Sequence, residues 1–230
     1  MVLGASHTGL RKRAALLTCQ QPELAHPYAV LKDKAELVIA SPNGGEAPLD
    51  PSSVKMFEND ALSVQFLNEN KSVWANTQKL ADVLPRVPEF DAIFYVGGHG
   101  PMFDLHSDPN SLVLLQEFAE AKKPIAAVCH GPTVLVKAKS TSGESLLSSA
   151  SVTGFSNTEE DQAGMSSVMP FMLEDELNRV TGGRYVKAAQ PWGEQVVVSQ
   201  VAGTGAPLIT GQNPASGAGV GKEILKALGL

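Results

Sequence analysis

The chain has 230 residues, 43% of them hydrophobic and 18% charged, with a formal net charge of −6. That is the make-up of an ordinary globule, and one that folds as a single unit buries roughly 70–75% of its unfolded surface. No basic run or stripe offers a nucleic acid or an anionic membrane a partner, and the apolar runs fall far short of the roughly 20 residues of a membrane span.

The basic cluster Arg11-Lys12-Arg13 precedes only a short apolar piece, residues 14–19, which reads as a first core strand and not as a signal sequence. Pro22 and Glu23 then open a helical pattern that runs to Leu31, complicated by His26-Pro27. Residues 36–41 read as a second strand, ended by the turn Pro42-Asn-Gly-Gly45. The stretch 46–87 is less regular and largely helical through Trp74 and residues 79–84. Residues 91–96 form a third strand, followed by Gly97-Gly98-His99-Gly100-Pro101, and residues 111–121 have apolar positions at helical spacing. A short apolar run, residues 125–128, reads as a buried parallel strand that ends abruptly at Cys129-His130-Gly131-Pro132. Beyond it come a strand at 151–155, the acidic triplet Glu159-Glu160-Asp161, strands at 195–199 and 207–210, and a closing helix from Gly221. Strands alternating with helices indicate an α/β fold on a mainly parallel sheet, in one domain spanning 1–230. Ligands of such sheets bind outside the carboxyl ends of the strands. That rule brings Cys19 to Glu23, Gly97 to Pro101 and Cys129-His130 to one edge.

Cys129 falls on a strand-to-helix turn, the geometry of a nucleophile elbow. A helix amino terminus there would favour the thiolate, which is the nucleophilic form. His130 is either the proton-handling neighbour of the thiol or a residue at the start of the next helix. One carboxylate of the triplet 159–161 could orient it as the third member of a Cys-His-acid set. Gly97 and Gly98 supply bare backbone amides, the material of an oxyanion hole. Glu23, the carboxylate after the first strand, could share a proton with the thiol or act as a general base. Five scattered histidines with no HxxxH or CxxC pair argue against a metal, and two cysteines without a disulfide framework suit a reducing compartment.

These elements together resemble the PfpI-like superfamily, with its class I glutamine-amidotransferase-like fold, which includes the Parkinson-disease protein deglycase. Within it they are most similar to the heat-shock chaperone and glutathione-independent glyoxalase III subgroup. The residues that carry the resemblance are Glu23-Leu-Ala-His-Pro-Tyr28, Ala40-Ser-Pro-Asn-Gly-Gly45, Pro48-Leu-Asp-Pro51, and Tyr95-Val-Gly-Gly-His-Gly-Pro-Met-Phe-Asp-Leu105. They continue with AVCHGP (127–132), VTGFSNTEE (152–160), Pro191-Trp192 and TGQNPAS (210–216). The resemblance implies a flavodoxin-like sandwich with helices on both faces of the sheet, Cys129 as nucleophile, His130 and Glu160 as the rest of a triad, Glu23 beside the thiol and Gly98 in the oxyanion loop. It also implies a homodimer. The chain departs from the subgroup at Thr18-Cys-Gln-Gln-Pro22, where relatives carry a longer loop with glycine and an aromatic.

The expected activity is that of a lyase, a D-lactate dehydratase of the glyoxalase III type. It converts methylglyoxal or a similar small 2-oxoaldehyde to the 2-hydroxy acid through a Cys129 hemithioacetal. The alkoxide is held by amides near Gly98 and Cys129, and Glu23 or His130 moves the C1 proton to C2. No cofactor is called for, because the hydride count is conserved within the substrate. A stress-protective chaperone role and a cytoplasmic location, with the nucleus also compatible, go with this reading. The alternatives are a cysteine peptidase or amidase on the same residues, and a redox-sensing stress protein in which Cys129 is the oxidised group.

Overall fold

The computed structural model describes residues 2–3, 21–47, 49 and 51–230. In chain order the elements are β1 (Val2–Leu3), α1 (Gln21–Leu31), β2 (Leu37–Val38), β3 (Ala40–Ser41), α2 (Pro51–Met56), α3 (Ala61–Glu69), α4 (Lys71–Ala75), β4 (Gln78–Lys79) and α5 (Leu80–Val83). They continue with β5 (Ala92–Tyr95), α6 (Pro109–Glu120), β6 (Ile125–Val128), α7 (Asn157–Ala163), α8 (Leu173–Thr181), β7 (Val196–Gln200), β8 (Pro207–Gly211) and α9 (Gly217–Ala227). The main sheet runs β2-β1-β5-β6-β8-β7. Its centre, β5 with β6 and β6 with β8, is parallel, while β1 and β7 are antiparallel to their neighbours.

Every residue of β5 and β6 is buried. A strand buried at both alternating sets of positions is covered on both faces, which is why these segments read as continuous apolar runs and not as alternations. The connections are built from strong local signals. Asp108 caps α6 by accepting from the Ser111 amide at 2.9 Å, with Pro109 at the first helical position. Asp60 does the same for α3 through the Ser63 amide. α1 lies close against α9, where a Cβ on Gly221 would already touch Pro27 and Val30.

The α/β fold with a mostly parallel sheet is as expected, and several local expectations change. The strand expected at 14–19, with Cys19, lies outside the described residues. The segment 36–41 is split: β2 joins the main sheet, whereas β3 turns away to pair with β4. Residues 151–155 are extended but make only the isolated bridge Val152 to Tyr185, because their amides are taken by other partners, that of Thr153 by the Thr210 hydroxyl. The acidic triplet, given no element in the sequence, lies in α7, started by Ser156 and ended by Gly164 at φ 70°.

Candidate active site

Cys129 sits directly after the last residue of β6 and is wholly buried. Its φ is +61°, a conformation that costs a non-glycine residue of order 1 kcal/mol or more and persists only where the surroundings impose it. Here both of its backbone groups are held. Its N–H donates to the Gly211 carbonyl at 2.9 Å, and its carbonyl accepts from the Phe155 amide at 2.9 Å. Two glycines make room for the turn. A Cβ on Gly97 would lie 2.5 Å from Cys129 Cβ, and one on Gly131 would lie 2.5 Å from the Tyr95 carbonyl oxygen. After His130 the chain enters a five-residue 3-10 turn, Gly131–Leu135, not the expected α-helix.

That difference bears on the thiol. Burial pushes the Cys129 thiol well above its usual range, and the charge and hydrogen bond of the Glu23 carboxyl push the same way. The backbone amides of Gly98 and His130 face the sulfur and pull in the other direction without winning. Burial and the Glu23 carboxyl thus oppose the thiolate that a helix amino terminus would favour. The Cys129 amide is also engaged by the sheet, so the donors that face the sulfur are those of Gly98 and His130, not of Cys129 itself.

His130 is buried, with Nδ1 3.4 Å from Cys129 Sγ and Nε2 2.6 Å from Glu160 Oε2. Burial lowers its pKa, against the opposing hydrogen bond to Glu160. Burial works against a charge on Glu160, but hydrogen bonds from His130 and His99 prevail and hold its carboxyl at about 2. An ionised carboxylate only accepts, so the neutral imidazole carries its proton on Nε2 and turns the Nδ1 lone pair to the thiol. The structure thus brings Glu23, Gly97, Gly98, Cys129, His130 and Glu160 together.

His99 is the member that sequence reasoning passed over as part of a glycine turn. Its Nε2 lies 2.9 Å from Glu160 Oε1 and its ring is 4.4 Å from that of His130, with the side chain 18% exposed. Its position two residues after Gly97, at the carboxyl end of β5, was the available signal. Phe155 packs against His130 at 4.5 Å and against Trp192 at 5.4 Å.

The neighbouring Glu159 faces the other way. Its Oε2 accepts from the Ser156 amide and hydroxyl, and its Oε1 accepts from the Trp192 amide, Gln212 Nε2 and Asn213 Nδ2. The element TGQNPAS and the pair Pro191-Trp192 thereby tie β8 to α7 and fix where Glu160 sits. Among the described residues, one group has metal-ligand spacing: His99, His130 and Glu160, whose ligand atoms lie within 4.8 Å of one another.

A family model described as the DJ-1/PfpI family matches residues 14–227. The chain belongs to the DJ-1/PfpI family. Over 219 residues it is 31% identical to the glutathione-independent glyoxalase hsp3101 of Schizosaccharomyces pombe, covering 89% of this chain and 84% of that one. Glyoxalase 3 of Candida albicans is 26% identical over 213 residues, covering 89% and 87%. Among solved structures, the Rapid Encystment Protein of 24 kDa from Francisella tularensis superposes with a TM-score of 0.81 at 33% identity, covering 94% of this chain and 98% of that one. The DJ-1/PfpI fold is flavodoxin-like, and the mixed, mostly parallel sheet described above is that fold.

Proposed function

We propose that this DJ-1/PfpI protein is a glutathione-independent glyoxalase that converts methylglyoxal, or a similarly small 2-oxoaldehyde, to D-lactate or the corresponding 2-hydroxy acid. The observation that carries the reading is the line from Cys129 Sγ through His130 to Glu160, with the Glu23 carboxyl against the same sulfur. Relatives named as glutathione-independent glyoxalases, aligned over most of this chain, support it.

Cys129 acts as the nucleophile from its elbow. His130 Nδ1 takes the thiol proton as Sγ adds to the aldehyde carbon, and the new oxygen receives hydrogen bonds from the Gly98 and His130 amides and then the proton. Glu23, or His130 in its free-base form, removes the proton from C1 to give an enediol and returns it to C2. The result is a thioester of the 2-hydroxy acid, which water hydrolyses to release the thiol. One water is added overall, and no electrons leave the substrate.

A wholly buried thiol suits a three-carbon aldehyde and not a peptide, which weighs against the peptidase reading. As further parts of the proposal, the protein is a one-domain homodimer of the cytoplasm; among the described residues no helix is long and apolar enough to cross a membrane.

The test is D-lactate release from methylglyoxal by the purified protein without glutathione, beside Cys129→Ala. Turnover that vanishes in the variant is the expected result, and turnover retained by it would overturn the mechanism.

A further inference from the structure

The proposed chemistry uses His130 and Glu160, yet it gives no reason for a second imidazole on the same carboxylate. His99 Nε2 lies 2.9 Å from Oε1, His130 Nε2 lies 2.6 Å from Oε2, and all three ligand atoms fall within 4.8 Å. We propose that His99, His130 and Glu160 form a binding site for a divalent transition cation, zinc by the chemistry of its donors, and that occupancy of this site switches the enzyme off.

Two imidazole nitrogens and a carboxylate are donors that zinc accepts at about 2.0–2.2 Å, with a fourth position left for water. Ligand atoms at that range in a tetrahedron stand roughly 3.4 Å apart. The present hydrogen bonds are shorter, so the ion replaces the two N–H protons at the cost of displacing the ligands by less than about 1 Å. His130 and Glu160 are buried, and His99, with 18% of its side chain exposed, is the one of the three that meets solvent and gives the ion its way in. Ser156 fixes the start of α7, the helix that carries Glu160, and Phe155 packs on the His130 ring, so the pair is already ordered before the ion arrives.

A zinc-binding imidazole is oriented by what its other nitrogen donates to. With Nε2 on the ion, the proton of His130 moves to Nδ1, which faces Cys129 Sγ at 3.4 Å. Each displaced Nε2 proton passes to Nδ1 of its own ring, so the exchange balances. His130 then offers the sulfur a donor in place of a lone pair, and it can no longer take the thiol proton. The sulfur itself lies against Nδ1, the nitrogen of His130 that does not face Glu160, and is not one of the ligands. Binding stands on this geometry alone, whereas inhibition rests on the proposed glyoxalase activity.

The experiment is calorimetric titration of the full chain with Zn2+, using Cys129→Ala so that no reactive thiol takes part at this position. One saturable site per chain is expected, weakened at least tenfold by adding His99→Ala and likewise by adding Glu160→Gln, with circular dichroism confirming that both variants fold. Absence of saturable binding in Cys129→Ala, or binding that His99→Ala leaves unchanged, would overturn the site. In parallel, Zn2+ is titrated against lactate formation by the wild type. Inhibition reversed by a chelator is expected, and full activity at a zinc concentration that saturates the calorimetric site would overturn the switch. If Cys129→Ala binds zinc but the wild type makes no lactate, the functional reading fails and the metal site stands.

Discussion

His99 and His130 meet one carboxylate from two sides, each through Nε2 and each on its own oxygen of Glu160, with their rings 4.4 Å apart. Glu160→Gln would replace one of those acceptors with an NH2 group, leaving one imidazole N–H pointed at another donor. The affected ring must flip tautomer or turn away. A drop in kcat of about 10²-fold or more is expected with the fold intact, and His99→Phe should cost roughly tenfold because it removes only the outer support. Steady-state kinetics on methylglyoxal checks both, and equal losses in the two variants would contradict the ordering.

The Glu23 carboxyl raises the Cys129 thiol after burial has already done so. Glu23→Gln removes the charge, so the thiol should ionise at lower pH and react faster with iodoacetamide at pH 7 while lactate formation falls. The midpoint of alkylation rate against pH is the measurement. A midpoint that rises or stays put would show that Glu23 does not act on the sulfur.

Acid stability depends on Glu160. Its folded pKa of about 2 lies below the roughly 4.3 of an unfolded glutamate, so its contribution is complete above the unfolded value and fades as pH falls towards the folded one. The stability difference between wild type and Glu160→Gln should therefore shrink from pH 5 to pH 2. Urea melts across that range are the check.

Glu159 is a structural anchor rather than a chemical group. Glu159→Ala would strand donors from Ser156, Trp192, Gln212 and Asn213 in a buried place. A loss of roughly 3–5 kcal/mol is expected, or a fall in Tm of about 10 °C or more. Calorimetric melting of the variant tests it.

Glycine positions separate close approach from turn geometry. A Cβ on Gly131 would stand 2.5 Å from the Tyr95 carbonyl oxygen and force β5 from the Cys129 turn, so Gly131→Ala should lose both stability and activity. Gly143, at φ 85° with open space around its Cβ position, should cost only about 1 kcal/mol as alanine and keep full kcat. Melting curves and kinetics on the two variants distinguish the effects.

The central sheet was legible because β5, β6 and β8 are short apolar runs bounded by glycine and proline, and their order obeys the rules for parallel strands. The thiol, its histidine neighbour and Gly97-Gly98 could be placed by the rule about carboxyl ends. The choice of Glu160 over Glu159 came only from resemblance, since a sequence cannot tell which of two adjacent helical residues turns towards a histidine 30 positions away. Glu159 is recognised as the anchor once Gln212 and Asn213 are placed beside it. His99 escaped for a similar reason: its role depends on α7 passing over the β5 turn. The burial that opposes a thiolate was not legible either, because composition says nothing of burial, and the turn after Cys129 is a short 3-10 turn and not a helix.

Cys129 and His130 sit on a turn whose backbone is locked to the central ladder, and Glu160 sits on α7, which the Glu159 anchor holds in place. The methionine-containing stretch 165–172 lies outside that frame, with Val168 54% exposed, whereas the segment 100–108 is tied into the core through Met102 and Leu105, both wholly buried. A hydrogen-bonded reaction centre is thereby set apart from an exposed border. New substrate ranges can be sought by exchanging the border alone, with the nucleophile's placement inherited unchanged.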